Sequence, residues 1–302
     1  MRVFVTGATG VIGRRVLPRL VAAGHEVTAV ARTPVKAEGV RSAGAHPVTL
    51  DLFDPEAARR ALDGHDAVIN LATRIPPPTQ AATPSAWREG TRLRTEGSRV
   101  LADAAIAVGV PRFVQESIAF IYPDRGSEWI DEDVPLDPPP LAAGNVAAEA
   151  SARRFGDAGG IGVVLRFGQF YAWESAHTRA MCRQARLRLP AMPGPRDAYC
   201  PAVAVDDAAA AAVAALDVTG GTWNVCDDRP LTRDEYNAGV AEALGVRPPL
   251  LTGTALLRLS SATRFYVRSQ RISNQRFRSA TGWSPAFPDA RIGWVSMAAA
   301  GG

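Results

Sequence analysis

The sequence predicts an α/β protein in which a doubly wound parallel sheet is followed by a smaller C-terminal substrate lobe. Two observations lead to this prediction. Short runs rich in valine and isoleucine alternate with helical segments over the first 170 residues, and such alternation is typical of βαβ units. After residue 170 the alternation ends, and proline-rich stretches indicate a less regular lobe.

Six strand candidates stand in the alternating region, each dense in β-branched residues. They are residues 2–6, 26–31, 46–50, 66–72, 112–117 and 162–167. The helical segment 11–23 stops before Gly24, a residue suited to the left-handed turn that ends many helices. Residues 201–216 are typical of a strand that runs into a helix. We predict a first domain over 1–170 and a lobe over 171–302, some of whose segments return to the main sheet.

The most specific signal is the turn VFVTGATGVIG, which places Gly7, Gly10 and Gly13 between the first strand and the first helix. Glycine permits a tight turn and a close approach of the backbone to a pyrophosphate, which the free N–H groups of the helix N-terminus bind. The alternative is a glycine-rich turn without a ligand. We predict an NAD(P)-binding, Rossmann-type domain whose phosphate cradle is Gly7, Thr9, Gly10, Val11, Ile12 and Gly13.

The end of the second strand bears on the choice of cofactor. Dinucleotide sites often carry an acidic residue there to hold the ribose hydroxyls, whereas this chain has Arg32. An arginine suits a 2′-phosphate, so we predict NADP rather than NAD; the alternative is a solvated surface arginine. The adenine is expected at Asp51 and Leu52, and the ribose and nicotinamide beside Leu71, Ala72 and Thr73.

Composition excludes several other classes of protein. The 302 residues are 47% hydrophobic and 21% charged, as in an ordinary soluble protein. No apolar run reaches the roughly 18 residues of a membrane span, and no signal peptide is evident, so we predict a cytoplasmic location. Three widely spaced cysteines and four scattered histidines predict neither a disulfide framework nor a metal site. The net charge of +4 comes from dispersed arginines, which does not support nucleic-acid binding.

Taken together, these motifs resemble the extended and atypical branch of the short-chain dehydrogenase/reductase superfamily, the NAD(P)-dependent epimerase/dehydratase-like proteins. TGATGVIG matches the family's glycine signature, DLFD and NLAT match its adenine and ribose segments, and VAVDDAAAAAVAAL matches a later block. The segments TWNVCDDRPLT and ATGWSPAF are similar to its C-terminal lobe. The resemblance covers nearly the whole chain and implies cofactor binding and catalysis by an Asn, Ser/Thr, Tyr and Lys tetrad.

All four tetrad positions depart from that pattern. Arg94 stands in the place of the asparagine, and Ile118 in that of the serine, with Ser117 one residue earlier. The tyrosine and lysine are replaced by Leu141 and Asn145. Lys36 is the only lysine of the chain, and it follows the second strand, near the expected adenosine end of the cofactor. The family's usual proton transfer, in which lysine lowers the tyrosine pKa, is therefore excluded.

Other polar residues remain near the expected nicotinamide. Ser117 and Tyr122 are the catalytic candidates, although a strand-end serine can bond its own backbone and a tyrosine in AFIY can serve packing. Arg94 is expected either to hold an anionic substrate or to form a salt bridge with Glu116. Asn145 could still donate a hydrogen bond to the nicotinamide ribose.

In the C-terminal lobe, aromatic and apolar residues predict the lining of a small-molecule pocket. They are Tyr171, Trp173, His177, Met181, Tyr199 and Phe265. His177 is a candidate base, and the alternative is a surface histidine.

We therefore expect an NADP-binding reductase that acts on a small, mostly apolar carbonyl or conjugated compound. The cofactor supplies the hydride, so the protein need only position the substrate while water or a side chain gives the proton. The alternatives are a non-redox isomerase, cyclase or lyase, an epimerase-like protein, and a cofactor sensor without turnover. Sugar-nucleotide epimerisation is disfavoured, because it needs the alcohol deprotonation that the missing pair performs. A small molecule is the expected partner, and a homodimer is possible.

Overall fold

A single parallel sheet organises the protein. The computed structural model describes residues 1–76, 80, 83–250 and 267–301. Seven parallel strands pair in the order β11-β7-β5-β4-β1-β2-β3. Their bounds are β1 Arg2–Thr6, β2 Glu26–Val30, β3 His46–Val48, β4 Ala67–Asn70, β5 Arg112–Ile118, β7 Ile161–Phe167 and β11 Gly221–Val225. The last strand comes from the C-terminal part of the chain, which thus adds an edge to the main sheet.

Helices cover both faces of this sheet, because its central strands are apolar on both sides. Helices α1 and α2 lie against one face, together with α8, and bury the side chains of Val3, Val5 and Val114. The opposite face is covered by α3, α5 and α6, around Phe4, Val68 and Phe113. The bounds are α1 Gly13–Ala22, α2 Pro34–Ser42, α3 Pro55–Leu62, α5 Ser98–Ala107, α6 Ala143–Asp157 and α8 Val205–Ala214.

Local sequence sets where several helices begin. Thr33 and Asp54 cap α2 and α3 with their side-chain oxygens, and a proline follows each cap as the first helical residue. Between β4 and β5 the chain forms α4 (Arg88–Arg92) and then a π-helical turn, Leu93–Gly97, before α5. Such widened turns are frequent at functional sites.

Outside the main sheet, the described part of the chain forms short strand pairs and a helical core. The pairs are β8 Gln169–Tyr171 with β10 Ala202–Ala204, β9 Tyr199–Cys200 with β12 Leu231–Thr232, and β6 Trp129–Ile130 with β13 Arg271–Ile272. Helices α7 (Ala176–Arg186), α9 (Arg233–Ala243) and the helix Ala290–Gly301 pack around the fully buried Trp294, and Gln275–Thr281 forms a further helix. A Thr232–Glu235 capping box starts α9.

The predicted fold class is confirmed by the seven-stranded parallel sheet and its flanking helices. The first strand has its predicted bounds, and the other five predicted strands differ from observed ones by one or two residues at an end. The strand and helix expected over 201–216 are β10 and α8. Part of the proline-rich loop 74–85, and Phe265, lie outside the described residues.

Helix α6 approaches the sheet so closely that one glycine is required at the contact. A Cβ atom on Gly162, in β7, would lie 2.1 Å from the carbonyl oxygen of Ala152. Backbone cannot yield as a flexible side chain can, so any side chain here separates helix from strand. Because α6 carries Asn145 and Glu149, this contact also positions the candidate site.

We expect Gly162→Ala to lower the free energy of unfolding by at least about 2 kcal/mol, because overpacking forces backbone shifts. Gly39→Ala is the matched control: that glycine lies within α2 with nothing within 4 Å of an added Cβ. Alanine there should stabilise the protein by roughly 0.5–1 kcal/mol. Urea unfolding of both variants measures the difference, and equal effects would contradict the proposed contact.

Candidate cofactor-binding and reaction site

The glycine-rich turn is built against the end of β4. Gly7 has φ 65°, in the left-handed region that favours glycine, and its added Cβ would lie 2.2 Å from the carbonyl oxygen of Leu71. An added Cβ on Gly13 would lie 2.3 Å from the Gly7 oxygen. These two glycines therefore allow the turn to fold, whereas Gly10 is exposed and meets only the Gly7 oxygen, at 3.1 Å.

The N-terminus of α1 follows this turn directly, and the Arg14 amide donates to the Gly10 carbonyl at 3.2 Å. The helix begins at Gly13 with no side-chain cap at Ile12 and no acidic residue in its first turn. Uncapped N–H groups and the positive end of the helix dipole favour an anion. The residues present fit the pyrophosphate of a dinucleotide, with Thr9 and Val11 half-buried on the same turn.

The expected adenosine end lies at the carboxyl edge of β2 and β3. Arg32 is exposed after β2 and makes no ion pair with any residue that the structure describes. Lys36 is also exposed, in the first turn of α2. Asp51 is exposed too, and one of its oxygens accepts a hydrogen bond of 3.0 Å from the Phe53 amide. A free cation beside a helix N-terminus suits a phosphate. Leu52, which follows Asp51 in the sequence, is half-buried.

Polar side chains join the ends of three central strands. Thr6 donates to the side-chain oxygen of Asn70, and the Asn70 amide donates to Gln115 at 2.7 Å. Asn70 also accepts a bond of 3.2 Å from the Ala72 amide, and the Gln115 amide donates to the Glu116 carbonyl at 2.8 Å. These buried bonds fix Leu71 and Ala72 at the edge of the sheet, with Thr73 exposed beyond them.

Deeper in the protein, a charged network holds Ser117. Arg166 on β7 forms a bidentate ion pair with Glu149 on α6, at 2.9 and 2.7 Å, and both side chains are buried. The Ser117 hydroxyl donates to the same carboxylate at 2.7 Å. Ser117 is fully buried, so the structure places its hydroxyl in this network and not in an open site.

Tyr122 belongs to the same network. Its hydroxyl accepts a bond of 2.7 Å from Arg166 and donates one of 2.9 Å to Asn224. Burial raises the pKa of Tyr122 to about 12, and Arg166 only partly offsets that shift. A fully buried phenol whose proton already has an acceptor is poorly placed to protonate a substrate near neutral pH.

A second buried ion pair involves Arg94, one of the four tetrad positions. Arg94, in the π-helical turn, pairs with Glu116 on β5 at 3.2 Å, the salt bridge expected as one of its two roles. Gly144, at the start of α6, packs against Arg94, since an added Cβ would lie 3.3 Å from the Arg94 Cβ. The neighbouring Asn145 is buried, and its amide nitrogen has no hydrogen-bond partner among the described residues. That unpartnered donor fits a ribose hydroxyl.

The predicted pocket residues of the C-terminal lobe do not all face a cleft. Tyr171 is fully buried and stacks on Trp294, so the expectation that it lines a pocket is corrected: it belongs to the lobe's core. Met181 is buried in the same core. Trp173 is half-buried and donates to the carbonyl of Met297 at 2.7 Å.

Two other predicted residues are more accessible. Tyr199 is half-buried, and the Arg271 guanidinium lies 5.1 Å from its ring centre. His177 is exposed at the start of α7, yet desolvation by the surrounding protein lowers its imidazole pKa. A side chain that is exposed to solvent and yet partly desolvated is typical of a concave surface. The lowered pKa keeps the His177 imidazole neutral near pH 7.

The described residues contain no group of three or more His, Cys, Asp or Glu side chains suited to a metal ion. No helix in the described ranges is long and apolar enough to cross a bilayer. Arg166 and Asn224 were missed from the sequence as site-forming residues. A signal existed for Arg166, since an arginine in the apolar run GVVLRF must find a buried partner.

Comparisons with known proteins agree with this geometry. A family model described as NAD(P)H-binding matches residues 7–160. The 3-diazoavenalumate denitrifying reductase of a Streptomyces species is 34% identical over 97% of this chain and 99% of its own length. The human epimerase family protein SDR39U1 is 28% identical over 96% of this chain and 97% of its own.

Solved structures share the fold over the full length. The crystal structure of human SDR39U1 (isoform 2) with NADPH has a TM-score of 0.83 and 25% identity, covering 99% of each chain. The UDP-glucose 4-epimerase of Thermus thermophilus, in complex with NAD, has a TM-score of 0.77 and 25% identity over 100% of both chains. Similar chains thus bind either dinucleotide.

We expect Arg166→Met to lower the free energy of unfolding by about 3–5 kcal/mol, because it leaves the Glu149 carboxylate buried with its main partner removed. Arg154→Met is the matched control, since Arg154 pairs with Asp103 at 2.8 Å where both side chains are about half exposed. That variant should lose less than about 1 kcal/mol. Denaturant titration measures both, and a small loss for Arg166→Met would show that the network does not hold the site together.

Proposed function

The chain belongs to the NAD(P)H-binding, extended short-chain dehydrogenase/reductase family, and we propose that it is an NADPH-dependent reductase whose hydride acceptor needs no proton from the protein. One observation carries this proposal: the hydroxyls of Ser117 and Tyr122 are both committed to a buried network, and no lysine or tyrosine replaces the missing pair. A protein that keeps the cofactor-binding turn but lacks the family's catalytic acid suits a reaction that consists of hydride transfer alone.

Among conjugated compounds, a diazonium ion is an acceptor that meets this condition. In the net reaction, R–N₂⁺ and NADPH give R–H, N₂ and NADP⁺: the C–N bond breaks, the hydride electron pair forms the C–H bond, and no proton is consumed. The relative from Streptomyces is by its name a denitrifying reductase of a diazo compound, and it aligns along nearly the whole chain. That likeness supports a diazo substrate here, ahead of a ketone or an enone.

The preference for NADPH is supported by the adenosine end of the cradle. Arg32 is exposed after β2, Lys36 lies in the first turn of α2, and no carboxylate stands at the end of β2. A 2′-phosphate would gain a cation and a helix N-terminus at once. The NADPH complex of the human relative supports the same choice, although the Thermus epimerase holds NAD.

The chain's own residues would then bind the cofactor and orient the hydride acceptor. Asn145 donates to the nicotinamide ribose in place of the family's lysine. The half-buried Ile118 and Leu141 stand where polar tetrad residues would be, so they give the acceptor an apolar surface. The exposed His177 and the half-buried Trp173 are the residues of the C-terminal part that would be accessible to a substrate.

We expect Arg32→Glu to weaken NADPH binding roughly tenfold or more and to leave NADH binding within about threefold, because a carboxylate repels the 2′-phosphate that only NADPH carries. Calorimetric titration of both cofactors measures the effect. Arg41→Glu, at an exposed arginine of α2 that is paired with Glu38, should change neither affinity. Gly10→Val should weaken the binding of NADPH and of NADH by a similar factor. An unchanged preference in Arg32→Glu would remove the NADP assignment.

We expect NADPH to be consumed with an arenediazonium carboxylate, with one N₂ released per cofactor, and not with a ketone, an enone or a quinone. Absorbance follows the cofactor, and mass spectrometry of ¹⁵N-labelled substrate follows the gas. Because no side chain gives a proton, the rate should be level between about pH 6 and 9. Deuterium at the nicotinamide C4 should appear on the carbon that lost nitrogen.

Reactions without protein, and with Gly10→Val, correct for direct reduction by the cofactor. If NADPH is consumed only with an enone or a ketone, the hydride acceptor is a carbonyl or conjugated compound and not a diazo compound. Product without cofactor consumption would indicate a non-redox isomerase or lyase, and binding without any turnover would indicate a sensor. A single ionisation near neutral pH that His177→Ala abolishes would identify His177 as a proton donor.

A further inference from the structure

The Arg94–Glu116 pair is a built charged site at the tetrad position of Arg94, beside which the nicotinamide is expected. The two residues are 7% and 5% exposed, and one hydrogen bond of 3.2 Å joins them. Glu116 lies on β5, directly before Ser117 and two residues before the half-buried Ile118. Arg94 lies on the π-helical turn and packs against Gly144 at the start of α6.

Each member of this pair keeps one buried polar atom without a partner among the described residues. These atoms are Arg94 Nε and Glu116 Oε2, and the Asn145 amide nitrogen nearby is also unpartnered. The bidentate pair of Arg166 and Glu149 shows that this chain can satisfy a buried arginine and carboxylate completely. A buried charged group left half-satisfied is costly, so a positive charge near this unpartnered carboxylate oxygen would stabilise it.

We propose that Glu116, held in place by Arg94, stabilises the positive charge that the nicotinamide ring carries in the oxidised cofactor. This inference rests on the cofactor assignment of the proposed function. When NADPH gives up a hydride, its ring gains one unit of positive charge. In the family a lysine, itself positive, stands beside the ribose; here the neutral Asn145 stands there, and a carboxylate is the nearest anionic group on β5. The exchange removes the repulsion of the lysine, and Glu116 adds an attraction that the neighbouring Arg94 partly offsets.

The effect is one of charge, and it does not depend on which acceptor takes the hydride. In a buried site with an effective dielectric constant far below that of water, one unit charge several ångströms away changes a binding constant roughly tenfold or more. Glu116 would thus lower the free energy of the oxidised form relative to the reduced one and favour hydride donation. Arg94 acts as a positioning residue that holds the carboxylate in place.

The test uses cofactor binding alone and needs no substrate. The quantity is the ratio of the dissociation constants of NADP⁺ and NADPH, measured by calorimetry on the full chain. Glu116→Gln, which keeps the shape and removes the charge, should raise this ratio roughly tenfold. Glu116→Asp, which keeps the charge, should change it less than about threefold. A purely structural role would weaken both cofactors by the same factor and leave the ratio unmoved.

Glu96→Gln is the matched control, because Glu96 lies on the same π-helical turn but pairs with Arg92 where both are exposed. It should not alter the ratio. The unmodified protein gives a second measure if Glu116→Gln does not fold: NADP⁺ should bind at least as tightly as NADPH, and a tenfold preference for NADPH would overturn the inference. If both cofactors bind and the ratio is unmoved in Glu116→Gln, only this inference fails. If neither binds, the proposed function fails with it.

Discussion

The bidentate ion pair between Arg166 and Glu149 is the interaction on which the geometry of the site depends. It ties α6 to β7, and the hydroxyls of Ser117 and Tyr122 tie β5 and the following loop to the same two charges. A buried pair of this kind tolerates little displacement, because its desolvation is offset only when every bond is made. Helix α6 is therefore fixed in register, and Asn145, one turn before Glu149, is held at the edge of the sheet.

The same network decides what the site can do chemically. The two hydroxyls nearest the tetrad serve as donors to buried acceptors, so they stabilise the scaffold and are withdrawn from proton transfer. The polar ladder of Thr6, Asn70 and Gln115 serves the cofactor side in a comparable way, since it fixes the backbone at the end of β4. The buried bonds that position the strand ends are present, while the catalytic tyrosine and its activating lysine are absent from the sequence.

Much of this was accessible from the sequence, and the remainder was not for a physical reason. Strand–helix alternation and the glycine spacing predicted the sheet, its direction and the cradle, because both are local patterns with a fixed period. The partners of Ser117 and Tyr122 come from α6, β7 and β11, as many as 102 positions away, and no local pattern encodes such pairings. Tyr171 was misplaced for the opposite reason: an aromatic residue suits a pocket and a core equally well, and only packing on Trp294 distinguishes them.

Every lysine or arginine position of the chain except Lys36 is an arginine, and this choice has a chemical consequence. A guanidinium stays protonated at any physiological pH, whereas a lysine can be tuned by burial to exchange its proton. With Lys36 as the only lysine, and at the far end of the cradle, the cations near the nicotinamide end, Arg94 and Arg166, are permanent charges. Permanent charges orient ligands and stabilise ions, but they do not deliver protons. A site built from them suits the proposed reaction, in which charge moves as hydride and the leaving group departs without needing a proton.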